Sequence, residues 1–305
     1  MKIIGITGGA GFVGRYVTNL LISNGYKVLI FTRNTSGKPV RQHITYAHWD
    51  PDKGECDTHS LELVDAIVHL AGEGIADKRW SPKRKQEIVD SRVKVTHFLV
   101  EQLKMHAPDC KVFVSAAAIG YYGPDRQGLI PFTETAPSYN DFLGDTCSKW
   151  EVAANNAAAL TRTVILRFGI VLGKESGAFP KFSKPVSFGI MPILGSGRQV
   201  VSWIEVSDLA RLILFSLEHS EMQGIYNAVA PIPVTHRLLM KTIAREKGGI
   251  KIPIRVPAFA LKILMGEMSE EILKSCTVSA QKTLSVGYTF LYPEIKDAIK
   301  HILNK

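Results

Sequence analysis

Three glycines, Gly8, Gly11 and Gly14, lie in the stretch ITGGAGFVGRYV (6–17), and their spacing points to chemistry. The turn they form follows an apolar run, Lys2–Thr7. It opens a segment with Val13, Val17, Leu20 and Leu21 at helical spacing. Glycine lets the chain turn sharply and lets backbone N–H groups approach a pyrophosphate with no Cβ in the way. A helix starting at Phe12 adds about half a positive charge at its N-terminus, where a phosphate would lie. Gly14 lets that helix pack tightly on the strand. The spacing therefore predicts a dinucleotide cradle with Gly8, Gly11, Phe12, Val13 and Gly14 as contacts.

The end of the second strand reads Phe31-Thr32-Arg33-Asn34, with no acid for a ribose 2′-hydroxyl. A guanidinium at Arg33 suits a 2′-phosphate, which a carboxylate would repel. NADP(H) is expected over NAD(H).

The elements needed to position these residues are legible. Lys27–Phe31, Ile44–Trp49, Ala66–Leu70, Lys111–Ser115 and Thr163–Phe168 read as strands. A single long helix is expected from Pro82 to about Leu103, capped by Ser81, and another over Phe142–Leu160, capped by Asn140 or Asp141. Strands alternating with helices imply an α/β fold with a Rossmann-type, doubly wound parallel sheet. After Gly173 prolines and glycines multiply. The expected division is a Rossmann body, 1–173 with 200–230 returning to it, and a smaller C-terminal α/β lobe, 174–199 and 231–305. A strand is expected at Val200–Ile204 and a helix at Ser207–Glu218, with Ser207 as its cap and Asp208 as helix-start chemistry.

The chain has 305 residues and a net charge of +9, enough for a normal core and favourable to anionic ligands. The basic residues form no long arm, so nucleic acid is not an expected partner. The charged run Asp77–Lys85 reads as a solvated surface that could also attract a substrate anion or cofactor phosphates. No run of about 18 apolar residues exists, and no membrane partner is expected. The four cysteines are scattered without metal-ligand spacing, which reads as reduced thiols in a cytoplasmic protein with no metal. With the first strand starting at Lys2, no leader segment is expected. The expected partner is a small-molecule substrate, with a homodimer left open.

TGGAGFVG (7–14) resembles the nucleotide turn of extended short-chain dehydrogenases/reductases, and HLAG (69–72) resembles the motif that lines their adenine pocket. AGEGIADKRW (71–80), KQEIVDSRV (85–93), GYYG (120–123), KWE (149–151), RFGIVLG (167–173), SWIEVSDLA (202–210), NAVAPIPVT (227–235), RVP (255–257), GEM (266–268) and GYTFLYPEIKDAI (287–299) follow in order. Together they resemble the NAD-dependent-epimerase-like family that carries a short family-specific C-terminal domain. The resemblance implies an NADP-type cofactor. It places Thr32 and Arg33 at the adenosine phosphate, Leu70, Ala71 and Gly72 beside the adenine, and Glu87, Arg92 and Val171 at further cofactor contacts. From spacing alone, Glu87 and Arg92 read as a solvated polar face.

Relatives of this kind use a Tyr-x-x-x-Lys pair and a nearby Ser or Thr. The tyrosine moves a proton; the lysine lowers its pKa and holds the nicotinamide ribose. With Lys149 as the lysine, the tyrosine position is Asp145, and the serine region reads Val114-Ser115-Ala116-Ala117-Ala118. Tyr121 or Tyr122 could supply a phenol instead, against a reading of both as aromatic packing. Cys147 reads as a buried thiol, and Glu151 and Glu205 as cap or core hydrogen-bonding groups rather than bases. The resulting expectation is an NADP(H)-binding oxidoreductase or epimerase-like enzyme for a small polar or sugar-like substrate. The alternative is a catalytically degenerate NADPH sensor or scaffold.

Overall fold

A computed structural model describes residues 2–39, 41–125 and 130–304. In chain order the first half runs β1 (Ile3–Thr7), α1 (Phe12–Ser23), β2 (Lys27–Thr32), β3 (Ile44–Asp50), β4 (Glu55–Cys56), α2 (Thr58–Glu62), β5 (Ala66–His69), α3 (Pro82–Asp90), α4 (Val93–His106) and β6 (Val112–Ala118). There follow α5 (Phe142–Asn155), β7 (Arg162–Phe168), β8 (Ile170–Leu172), α6 (Phe179–Ser187), β9 (Ile190–Leu194), β10 (Val200–Val201), β11 (Trp203–Glu205) and α7 (Val206–Glu218). The last part holds β12 (Gly224–Ala228), β13 (Val234–Thr235), α8 (His236–Lys247), β14 (Ile252–Val256), α9 (Ala258–Met265), α10 (Met268–Leu273), α11 (Gln281–Ser285) and α12 (Ile295–Asn304).

The main sheet has the order β12-β7-β6-β5-β1-β2-β3-β4. All its neighbours are parallel except β4, which runs antiparallel to β3. The order reverses between β1 and β5, so a crevice opens outside their carboxyl ends, at Thr7 and His69. Successive strand residues face opposite layers. Ile4, Ile6, Val28 and Ile30 pack with Val17 and Leu21 of α1 and Leu209, Leu212 and Ile213 of α7. Leu29, Phe31, Ile67 and Phe113 pack on the other face with Leu61 of α2 and Leu99 and Leu103 of α4. This is a Rossmann-type sheet covered on both faces. A third core joins Phe179, Met191 and Ile193 to α8 and α12.

Two local expectations are corrected. The long helix after Ser81 breaks at Ser91–Arg92 into α3 and α4. Ser91 Oγ donates back to Ile88 O at 2.9 Å and Arg92 Nη1 donates to the same carbonyl at 3.1 Å, competing with the helical ladder. Glu205, not Ser207, caps α7: its carboxylate accepts from the N–H groups of Ser207 and Asp208 at 2.5 and 3.2 Å. Because β11 passes straight into α7, the strand's last residue becomes the cap. Asp208 is the acid in the first turn of α7, as expected, and its carboxylate also accepts from Leu291 N and Tyr292 N at 2.8 and 2.9 Å, while Tyr288 Oη donates to Asp208 O at 2.7 Å. The segment Cys276–Phe290, expected with the smaller lobe, accordingly packs into the main core through Cys276, Val278, Ala280, Tyr288 and Phe290.

Candidate cofactor site

The geometry of the turn requires glycine at Gly8 and Gly14. Gly8 has φ +71°, and a Cβ there would press on Leu70 C and Ala71 N at 2.8 and 2.9 Å. The turn thus lies directly against the chain leaving β5 at Leu70, Ala71 and Gly72. A Cβ on Gly14 would strike Gly8 O and Gly9 Cα, so only glycine lets α1 pack on the turn. Gly11 is exposed, donates its N–H to Gly8 O at 2.9 Å and begins α1 without a side-chain cap. The first turn of α1, with Phe12 and Val13, carries no acid. The positive end of the helix therefore faces the crevice uncompensated. Phe12 is half-buried, with its ring 2.6 Å from where a Gly173 Cβ would stand and 3.0 Å from one on Gly177. It fastens the turn to the loop that follows β8, the strand whose Val171 pairs with Ile204.

Beside β1, β2 ends at Thr32, whose hydroxyl donates to Asn34 O at 3.3 Å. Arg33 follows, its side chain 69 % exposed and 4.0 Å from Asp52. An ion pair this open contributes little and leaves the guanidinium available. A cradle that a Cβ would fill, an uncapped helix end and a guanidinium at the next strand's end fit a dinucleotide carrying a 2′-phosphate.

The opposite wall is built on buried polar groups. His69 is fully buried, its Nδ1 2.6 Å from Thr7 Oγ1 and its Nε2 2.9 Å from Thr96 Oγ1, tying β1, β5 and α4 together. Burial pushes its pKa down to about 3, so the ring is neutral. Of the two residues read as a solvated face, Glu87 fits, its side chain 41 % exposed, while Arg92 is half-buried and drawn into the wall. Glu87 accepts from Arg84 at 3.0 Å, and that guanidinium holds its carboxyl below the ordinary range. Arg92 donates to Glu73 O at 2.9 Å and lies 5.2 Å from the Trp150 ring. Arg84, in the run read as solvated surface, is buried and donates to Gly74 O at 2.7 Å as well as to Glu73 and Glu87. Its signal was local: it lies three residues after the cap Ser81 and three before Glu87.

On α5, capped by Asp141, Lys149 donates to Asp145 at 2.7 Å, with both side chains more than half exposed. Cys147 is buried, and burial pushes its thiol up to about 12, so no thiolate is present near neutral pH. Ser115 is fully buried and donates to Ala116 O at 3.1 Å.

Tyr121 and Tyr122 part company. Tyr122 is fully buried; its hydroxyl accepts from Arg167 at 2.7 Å and lies 2.7 Å from Asn227 Oδ1 and 3.1 Å from Thr133 O. Tyr121 is half-buried, with the Arg167 guanidinium 3.6 Å from its ring centroid. Arg167, 1 % exposed, also grips both oxygens of Glu151 at 2.7 Å. Burial alone would lower the Arg167 pKa, but the Glu151 hydrogen bonds hold it above its ordinary value. Burial raises the Glu151 carboxyl while Arg167 opposes that rise; the bidentate geometry keeps the pair ionised. Asn227 closes the network, donating to Ser279 O at 3.1 Å and receiving Glu134 on its N–H at 2.8 Å. GYYG, KWE, RFGIVLG and NAVAP thus meet in one buried cluster that spacing did not reveal. The available signal was Arg167 itself, a charge set inside the apolar run of β7 rather than at its end like Arg162.

Across the crevice, Lys181 of α6 donates to Ala76 O at 3.0 Å. Lys85 pairs with Glu267, and Gly266, at φ +62°, leaves room for Arg79, whose Nε would lie 3.0 Å from a Cβ there. Trp80 meets Phe142 edge to face at 5.0 Å. The segment 76–85 is therefore clasped from the far side by residues late in the chain.

A glycine cradle at the switch point of a doubly wound sheet defines the class: a Rossmann protein of the extended short-chain dehydrogenase/reductase type. Residues 4–228 match the NAD dependent epimerase/dehydratase family, and residues 256–302 match a domain of unknown function, DUF1731. The chain belongs to this epimerase family. It is 34 % identical over 302 residues to the epimerase family protein YfhF of Bacillus subtilis, covering 98 % of this chain and 97 % of that one. It is 31 % identical over 306 residues to the mouse epimerase family protein SDR39U1, covering 99 % and 100 %. Human SDR39U1 (isoform 2), solved with NADPH, superposes with a TM-score of 0.88 at 29 % identity over 99 % of both chains. A nucleoside-diphosphate sugar epimerase of Corynebacterium glutamicum gives 0.78 at 30 % identity, over 99 % of this chain and 58 % of that one. Among the described residues no helix is long and apolar enough to cross a membrane.

Proposed function

We propose that the chain is an NADP(H)-dependent oxidoreductase of the epimerase type, acting on a small polar, sugar-like substrate. The carrying observation is the uncapped glycine cradle with Arg33 exposed beside it. The NADPH-bound human relative and the sugar epimerase of C. glutamicum support the same reading. The cofactor, when bound, supplies or accepts a hydride at its nicotinamide.

Gly8, Gly11 and Gly14 admit the pyrophosphate, and the N–H groups of Phe12 and Val13 donate to it. Thr32 and Arg33 hold the 2′-phosphate; Leu70, Ala71 and Gly72 flank the adenine. Glu87 and Arg92 brace the wall between them, and Val171 lies toward the nicotinamide. Lys149 holds the nicotinamide ribose. Tyr121 is the phenol assigned to proton transfer, because the Tyr122 hydroxyl is already engaged by Arg167, Asn227 and Thr133. The substrate lies under the smaller lobe, taken as 174–199 and the part of 231–305 outside the main core, against the body of 1–173 and 200–230.

Titration calorimetry tests the cofactor assignment. Arg33→Asp is expected to weaken NADPH about 10- to 100-fold, the loss of a charge-assisted phosphate contact, and to leave NADH nearly unchanged. Equal losses for both would remove the 2′-phosphate from the argument. A second reading, an NADPH sensor without turnover, is favoured by one observation: Asp145 stands at the usual tyrosine position and ties up Lys149. NADPH oxidation across a panel of nucleotide sugars and simple carbonyls separates the two. Tight binding with no turnover across that panel selects the sensor.

A further inference from the structure

The chain that leaves β5 forms the rim of the crevice beside the glycine turn, since a Cβ on Gly8 would touch Leu70 and Ala71. Leu70 N–H still donates to Thr7 O at 3.1 Å, but residues 71–74 belong to no strand or helix. Side chains hold them instead. Ser91 Oγ accepts from Glu73 N–H at 3.2 Å, Arg92 donates to Glu73 O at 2.9 Å, and Arg84 Nη2 donates to Gly74 O at 2.7 Å. All three side chains come from α3 and the break behind it.

Arg84 carries more than the other two. Its Nη1 donates to Glu87 Oε2 at 3.0 Å and to Glu73 Oε2 at 3.3 Å, and its Nη2 reaches the same Glu73 oxygen at 3.3 Å. One buried guanidinium thus neutralises two half-exposed carboxylates. The helix itself gains nothing from this charge. Arg84 lies in the first turn of α3, where a cation opposes the dipole, and its Nε is buried without a hydrogen-bond partner. It shares the buried face of α3 with Ile88, and an apolar residue would pack there without the desolvation of a charge.

What the guanidinium achieves is at the rim. Glu73 lies two residues beyond Ala71, so its Cα is within about 7 Å of the chain that touches the turn. A dinucleotide with its pyrophosphate at the start of α1 and a further phosphate at Arg33 brings several negative charges into this crevice. Unpaired carboxylates on the rim would repel it. We propose that Arg84 is a positioning residue for NADP(H): it holds Glu73, Gly74 and Glu87 in one arrangement and cancels the charge that the two carboxylates present to the cofactor phosphates. Arg84 acts through the rim and does not itself touch the cofactor. The assignment rests on NADP(H) occupying the crevice as set out above.

Titration calorimetry of NADPH with the full chain tests this, using Arg84→Met, Glu73→Gln and the two together. Arg84→Met is expected to weaken NADPH about tenfold or more, and the loss relative to the unaltered protein is expected to narrow as salt rises from about 0.1 to about 0.5 M. Glu73→Gln alone is expected to change affinity less than about threefold, because the backbone bonds of Glu73 remain. In the double variant at least about threefold of the loss is expected to return, since the carboxylate left unpaired is gone. An arginine that only supports the fold predicts no such recovery, because deleting its partner does not mend a distorted rim. Arg84→Lys keeps the charge without the fork and is expected to lose about threefold; it carries the test if circular dichroism shows Arg84→Met unfolded. Folded Arg84→Met or Arg84→Lys binding NADPH as tightly as the unaltered protein overturns the proposal, and so does a double variant no tighter than Arg84→Met. No binding by the unaltered protein is a different failure: it overturns the cofactor assignment, and this proposal with it.

Discussion

Replacing Glu151 by Gln keeps the side chain's shape and removes one charge from the buried Arg167 pair. Arg167 is 1 % exposed, so water cannot take over the lost interaction. Two charge-assisted bonds of 2.7 Å each become at best one neutral bond and one mismatched amide. Breaking such a buried pair from one side costs about 3–5 kcal/mol. Against a total stability of about 5–15 kcal/mol, that is a large share. At about 2–4 °C per kcal/mol for a large domain, the melting temperature falls by at least about 6 °C. Glu151→Leu/Arg167→Met removes both charges and is expected to cost less than the single change, leaving Tyr122 and Asn227 bonded to each other. Urea unfolding followed by far-UV circular dichroism, with a calorimetric scan, reads both. If Glu151→Gln lies within about 1 kcal/mol of the unaltered protein, the pair does not hold the strand ends together as described.

Two further outcomes are expected. His236 is buried with neither ring nitrogen hydrogen-bonded, and burial pushes its pKa down to about 4. The unfolded chain protonates it near 6.5, so the stability of the neutral ring is complete above that pH and is lost as pH falls toward 4, at about 1.4 kcal/mol per unit. His236→Leu should flatten the acid limb of the stability profile over this window while His69 continues to titrate; an unchanged limb refutes the assignment. Glu267→Gln loosens the clasp on Lys85 and is expected to speed NADPH release about 3- to 10-fold in stopped-flow fluorescence, equivalent to a partly exposed ion pair. An unchanged release rate would show that the clasp does not gate the crevice.

What was legible in the sequence was local. The glycine turn, the helix from Phe12 to Ser23 and the caps at Ser81 and Asp141 each depend on residues within a few positions of one another. The break at Ser91–Arg92 rests on bonds of both side chains to Ile88 O, and helical spacing does not show that Arg92 also reaches Glu73 O, 19 positions away. Ser207 looked like a cap by residue type, but the direct passage from β11 to α7 gave that role to Glu205. Asp208 lies in the first turn as its type suggests, yet the partners of its carboxylate lie more than 80 residues on. The cluster of Arg167, Glu151, Tyr122 and Asn227 joins β7, α5, β12 and the loop after β6, and no periodicity encodes which strand ends will meet.

The threading of the C-terminal residues back into the body has a consequence for inheritance. Leu291 and Tyr292 satisfy Asp208, Ser279 and Thr283 bond Asn227, and Gly266 accommodates Arg79. A chimaera joining the first 255 residues of this chain to the tail of a distant relative would have to match all three sockets at once. The epimerase-family region, 4–228, and the DUF1731 region, 256–302, are therefore mechanically joined at these three sockets.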